Sequence, residues 1–79
     1  MGNMEENYIH IFSYFIGQLM EQKRIELKQA YFLMAEFEQV CDGIKTRADL
    51  ISFLDQHAAK YWELKELKKQ LLDSNYSFS

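Results

Sequence analysis

Residues 41–46 read Cys-Asp-Gly-Ile-Lys-Thr, and this stretch is the one strong helix break in the chain. Gly43 fits the left-handed position that ends many helices. Thr46 fits the N-cap of a following helix, and Asp49 can reach back as its capping-box partner. Because the chain has no proline and only three glycines, nothing else interrupts the helical pattern as clearly. The sequence therefore predicts that one helix ends before Gly43 and another begins at Thr46.

Apolar residues recur at helical spacing on both sides of this break, and no segment shows the alternation of a strand. The pattern predicts an all-α fold, a small three-helix bundle in a single helical domain over residues 1–79. Its helices are predicted near 4–22, 25–42 and 46–72, with a frayed tail at 74–79.

The junction at 21–26 leaves a second architecture open. It reads Glu-Gln-Lys-Arg-Ile-Glu, which is polar but lacks the Gly, Pro, Asn or Ser that usually make a turn. The alternative is one long helix over about 4–41 that pairs with 46–72 as a hairpin. Such a hairpin would dimerise into a four-helix bundle to bury its faces. The average length of helices in globular proteins favours three separate helices.

Residues 8–20 carry an unusually wide apolar face. At about 100° per residue, their apolar side chains cover an arc of roughly 180°, whereas a surface helix needs a little over about 100° to face its core. We expect another molecule to cover the surplus. Aromatic side chains make up 15% of the chain, and these types are enriched at the centres of protein interfaces.

The composition of the chain argues against several classes of protein and predicts its location in the cell. A net charge of −3 argues against a protein that mainly neutralises nucleic-acid phosphates. A single cysteine excludes an intrachain disulfide. No apolar run reaches the roughly 18 residues of a membrane span, and no basic leader precedes the first one. These features predict a cytoplasmic protein without a membrane span.

The residues that could carry chemistry do not form a pattern. His57 lies on an apolar helical face, where a core histidine is a better interpretation than a ligand or base. Cys41 lies near a helix C-terminus beside Asp42, surroundings that disfavour an activated thiolate. No motif for metal, phosphate or nucleophilic chemistry is present. The sequence predicts no enzyme, no metal and no cofactor.

The leading functional prediction is a protein–protein interaction module, a regulator, adaptor or inhibitor that self-associates as a homodimer. The alternative is a binder of an apolar small molecule or lipid between helices, followed by nucleic-acid binding. The predicted partner-binding residues lie at or beyond the edges of their helices' apolar arcs, and they are Ile11, Tyr14, Phe32 and Trp62.

Overall fold

The computed structural model describes residues 6–78, and all regular structure in that range is helical, with no strand. The elements are α1 (Tyr8–Glu21), α2 (Leu27–Val40), a 3₁₀ turn (Cys41–Gly43), α3 (Arg47–His57) and α4 (Leu64–Leu72). The all-α prediction is confirmed, but four helices replace the predicted three. The predicted helix start at residue 4 and the last residue of the tail lie outside the described residues.

The chain divides into two compact units, and α1 and α2 form a helical hairpin in the first. Phe12, early in α1, stacks on Phe37, late in α2, with ring centroids 4.7 Å apart and planes 17° apart. The two helices therefore run antiparallel. The other fully buried large side chains of this unit are Ile16, Leu19 and Leu33.

The turn between α1 and α2 excludes the alternative of one long helix over 4–41. The backbone N–H of Arg24 donates to the carbonyl of Leu19, and that of Lys23 donates to the carbonyl of Met20, both at 2.9 Å. This pair of bonds is a Schellman motif, which needs a left-handed residue at its C′ position. Lys23 fills that position with φ 59°. The turn therefore forms without glycine. Its residues include none of the Gly, Pro, Asn or Ser that usually indicate a turn, so these residue types did not predict it.

We expect Lys23→Gly to raise the free energy of unfolding by about 0.5–1 kcal/mol, because glycine removes the steric cost of a Cβ at positive φ. Urea denaturation followed by circular dichroism would measure the change. Lys23→Ala is the matched control, since it removes the same charge but keeps the Cβ. Equal stability of the glycine and alanine variants would contradict the expectation.

The break at 41–46 is confirmed, since α2 ends at Val40 and Thr46 caps α3, but the left-handed conformation predicted for Gly43 is wrong. The Thr46 hydroxyl accepts from the backbone N–H of Asp49 at 3.2 Å, and the Asp49 carboxylate accepts from the N–H of Thr46 at 3.0 Å. Gly43 instead ends a right-handed 3₁₀ turn, with φ outside the left-handed range and open space where a Cβ would lie. An alanine fits there, because the turn continues the right-handed path of α2.

The capping box sets the acidity of Asp49. The backbone N–H of Lys45 donates to its carboxylate at 2.9 Å, and this bond, with those from Thr46, holds the pKa of Asp49 below its ordinary 3.8. Since the folded pKa is the lower one, the cap's contribution is present above the unfolded pKa. It is lost as pH falls through the folded pKa.

The predicted helix 46–72 is wrong as one element, because it breaks at 58–63. The carbonyl of His57 accepts from the N–H groups of Lys60 and Tyr61, at 3.1 and 2.9 Å. The next turn uses short-range bonds, Leu64 N–H to Tyr61 carbonyl and Lys65 N–H to Trp62 carbonyl, both at 3.0 Å. The break lets α4 fold back on α3, which a continuous helix could not do.

The second unit, Asp42–Ser77, is thus a hairpin of α3 and α4. Its ends are tied by Lys68, whose Nζ lies 2.9 Å from Asp55 Oδ1, and by Arg47, which donates to the carbonyls of Leu71, Asp73 and Tyr76. The segment predicted as a frayed tail is therefore hydrogen-bonded at Asn75 and Tyr76. The buried residues of this unit are Leu50, Phe53, Leu54, Ala58, Tyr61, Leu64, Leu67 and Leu71.

Candidate functional site

The four predicted partner-binding residues divide into three exposed side chains and one buried one. Tyr14 is 62% exposed, Phe32 44% and Trp62 59%, whereas Ile11 is only 6% exposed. Tyr14 and Phe32 lie on different helices of the first unit, and Trp62 lies in the second. Ile11 is already covered within one chain, so it is not available to a partner.

The apolar surplus predicted for α1 is mostly absent. Its side chains Ile11, Phe12, Phe15, Ile16 and Leu19 are buried, and Tyr8 and Met20 are half-buried. Ile9, at 51%, is the one apolar residue of the predicted arc that is largely exposed. One chain therefore covers nearly all of this face, and the expectation that α1 requires a partner is wrong.

Tyr14 lies on the opposite, polar side of α1. Its ring stacks on His10 with centroids 6.3 Å apart. An open depression of about 500 Å³ lies beside them, above Gly17, where an added Cβ would meet nothing within 4 Å. The depression is lined by His10, Ser13, Tyr14, Gly17, Gln18 and Glu21. The depression is open to solvent rather than enclosed, so it does not resemble the cleft that usually holds an apolar ligand.

Among the described residues, four of the nine exposed large hydrophobic side chains lie on α2. Leu27 is 57% exposed and Tyr31 68%, and Ala35 is also exposed. These three residues, spaced four apart, share one side of the helix and form what we call the α2 stripe. Phe32 projects about 100° away from Tyr31. The α2 stripe and Phe32 therefore form two apolar surfaces that face different directions on the same helix.

The sequence analysis did not single out Leu27 and Tyr31, and so it did not predict the α2 stripe. The apolar arc of residues 27–41 is about as wide as that of 8–20, at roughly 180°. Its buried centre is formed by Ala30, Leu33 and Phe37, and its edges are exposed. The width of the arc, which drew attention to the first helix, is the signal that could have identified the second.

Two charges flank the α2 stripe in an order that opposes the helix dipole. Exposed Lys28 lies in the first turn and exposed Glu38 in the last. The N-terminus of a helix favours negative charge and its C-terminus favours positive charge. α2 has no acidic residue in its first turn and no basic residue in its last, although the carboxylate of Glu26, its N-cap, accepts from a backbone N–H of the first turn.

Trp62 occupies the connection between α3 and α4, in the second unit. Lysines surround this part of the sequence, and Lys60 Nζ lies 5.6 Å from the centroid of the Tyr61 ring. Lys68, however, is paired with Asp55, and Glu63 and Glu66 alternate with the remaining lysines. Acidic and basic residues therefore alternate along this part of the sequence.

His57 and Cys41 each contact a residue close to them in sequence. The His57 ring is half-buried and tilted against Phe53, with centroids 4.8 Å apart. The half-buried Cys41 thiol donates to the carbonyl of Glu38 at 3.4 Å. Within residues 6–78, no group of three His, Cys, Asp or Glu side chains is placed to hold a metal ion. No helix in that range has the length and apolar character needed to cross a membrane.

Comparison of the chain with protein-family models, with curated proteins and with solved structures finds no match.

Proposed function

We propose that this chain is a small cytoplasmic protein–protein interaction module, a regulator, adaptor or inhibitor, that self-associates as a homodimer and acts without catalytic chemistry. The observation that carries the proposal is the α2 stripe, whose two large side chains remain more than half exposed in the folded chain. The cytoplasmic setting is inferred from the sequence, which has a single cysteine.

Burial of the α2 stripe supplies a driving force for association. Fully burying a leucine-sized side chain stabilises by about 1.5–3 kcal/mol relative to leaving it exposed. A symmetric dimer through α2 would cover Leu27 and Tyr31 from both copies, because the same surface is used twice. Tyrosine is also among the residues that carry most binding energy at interfaces. These properties favour a second copy of the chain as the partner.

The alternative, binding of an apolar small molecule or lipid, receives less support. The depression on α1 is open, and His10, Gln18 and Glu21 are among the residues that line it. An apolar ligand is usually held in an enclosed cleft that buries most of its surface. The openness of the depression therefore favours a protein partner over a small apolar ligand.

Sedimentation equilibrium over a range from micromolar to millimolar protein tests self-association. We expect wild-type protein to shift from monomer to dimer within that range. Tyr31→Glu should weaken the dimer at least about tenfold, because it puts a charge in place of a buried ring.

Gln56→Glu is the matched control, since it adds the same charge at an exposed position of α3. It should leave the dissociation constant unchanged within about twofold. Wild-type protein that stays monomeric at millimolar concentration would overturn the proposed function.

A further inference from the structure

The charges on α2 suggest how two copies would be arranged. Lys28 lies five residues before Leu33 and Glu38 five residues after it, while Tyr31 and Ala35 lie two residues before and after. In an antiparallel helix pair, a two-fold axis level with Leu33 would bring residues at equal distances before and after it opposite each other. Lys28 of one copy would then face Glu38 of the other, and Tyr31 would face Ala35.

We infer that two chains associate through antiparallel α2 helices, with Lys28 paired to Glu38 and Tyr31 packed over Ala35 across a two-fold axis. This inference rests on the proposed function, since it specifies the geometry of the same self-association. Both pairs occur twice, once on each side of the axis, because the interface is isologous.

Charge complementarity favours the antiparallel arrangement over a parallel one. A parallel two-fold pair would place Lys28 opposite Lys28 and Glu38 opposite Glu38, and like charges at close range repel. The antiparallel pair joins opposite charges at both ends. Among the described residues, neither the Lys28 ammonium group nor the Glu38 carboxylate is engaged in an ion pair or side-chain hydrogen bond.

The helix dipole is a second reason to favour the antiparallel arrangement of the two α2 helices. Lys28 and Glu38 each oppose the dipole of their own helix. In the antiparallel pair, Lys28 lies near the negative C-terminal end of the other α2, and Glu38 lies near its positive N-terminal end. A charge order that is unfavourable within one chain thus becomes favourable in the dimer.

Size complementarity supports the same register. The large Tyr31 ring, 68% exposed, would lie over Ala35, the smallest residue of the α2 stripe. Large side chains opposite small ones allow two helices to approach closely without voids. α2 is only about 21 Å long at 1.5 Å per residue, so the interface is small. We expect dissociation constants in the micromolar range or weaker.

Exchanging the charges at Lys28 and Glu38 tests the antiparallel arrangement of the two α2 helices. Lys28→Glu alone places two carboxylates opposite each other, and Glu38→Lys alone places two ammonium groups opposite each other. Each variant should therefore dimerise at least about fivefold more weakly than wild type. An equimolar mixture of the two variants should recover dimer, because every facing pair then has opposite charge. The double variant Lys28→Glu with Glu38→Lys should also recover dimer. Sedimentation equilibrium measures all four samples.

These variants should not weaken folding. Each replaces a charge that opposes the α2 dipole with one that suits it, so monomer stability by circular dichroism should be unchanged or slightly higher. Lys65→Glu is the matched control, since it makes the same charge change at an exposed position of α4. It should leave dimerisation unchanged within about twofold.

The outcomes separate this inference from the proposed function. A wild-type dimer that neither Lys28→Glu nor Glu38→Lys weakens would overturn the α2 arrangement and leave self-association standing. An equimolar mixture of Lys28→Glu with wild type that associates more tightly than wild type alone would indicate a parallel pair and also overturn it. Absence of any wild-type dimer would overturn both.

Discussion

Phe37→Ala should lower the free energy of unfolding by about 3–5 kcal/mol, the largest loss expected from a single substitution in this chain. The Phe37 side chain is fully buried and stacks on Phe12, which is also fully buried, at a centroid distance of 4.7 Å. The variant loses the transfer free energy of the ring and leaves a cavity beside Phe12. Urea denaturation at low protein concentration, where association does not contribute, would measure the loss.

Phe32→Ala is the matched control for this prediction, since it removes the same ring from the same helix. Phe32 is 44% exposed, so less of its surface leaves water on folding. We expect its loss to be smaller than that of Phe37→Ala by at least about 2 kcal/mol. Similar losses in the two variants would contradict the position of Phe37 in the core of the first hairpin.

The helical class and the break at Thr46 were predictable because both depend on local chemistry. Apolar spacing of three and four residues specifies a helix, and a threonine followed by Asp49 satisfies two backbone N–H groups through bonds within four residues. The structure confirms those bonds at 3.2 and 3.0 Å. Interactions this short in sequence can be identified from residue types alone.

The other helix ends were not predictable from the same rules. The turn at Lys23 requires a left-handed lysine, which residue propensity disfavours and the hairpin of α1 and α2 imposes. The break after His57 lies within an uninterrupted apolar pattern, with no glycine or proline to mark it. It forms because folding α4 back on α3 buries Leu64, Leu67 and Leu71, and that gain depends on contacts distant in sequence.

The exposure of the candidate-site residues was also only partly predictable from the sequence. Four residues were selected because they lie at or beyond the edges of their helices' apolar arcs; Tyr14, Phe32 and Trp62 are exposed, but Ile11 is buried. Leu27 and Tyr31, which lie on the apolar arc of α2, are exposed, and the sequence analysis did not single them out. Which edge of a wide arc is buried depends on where the neighbouring helix lies, and spacing within one helix does not specify that.

Arg47 connects the start of α3 to the end of the second hairpin, and its removal should have the second largest effect. Its guanidinium donates from Nη1 to the carbonyls of Leu71 and Asp73, at 3.3 and 3.1 Å, and from Nη2 to that of Tyr76, at 2.8 Å. These carbonyls belong to the C-terminal end of α4 and the turn that follows it, where positive charge is favourable. One side chain thus satisfies acceptors that the helix itself cannot.

Arg47→Ala should therefore lower the free energy of unfolding by about 2 kcal/mol, a value that allows for partial exposure of the half-buried guanidinium. Arg47→Lys should recover less than half of that loss, because an ammonium group keeps the charge but lacks the planar fork that reaches several carbonyls. Lys45→Ala is the matched control: it removes a positive charge two residues away, at an exposed position, and should lower the free energy of unfolding by less than about 0.5 kcal/mol.

Amide hydrogen exchange of residues 71–77 distinguishes loss of the Arg47 hydrogen bonds from general unfolding, since exchange there should accelerate more than at Leu50 or Leu54. Full recovery by lysine would show that charge alone, rather than the three hydrogen bonds, holds the end of the hairpin.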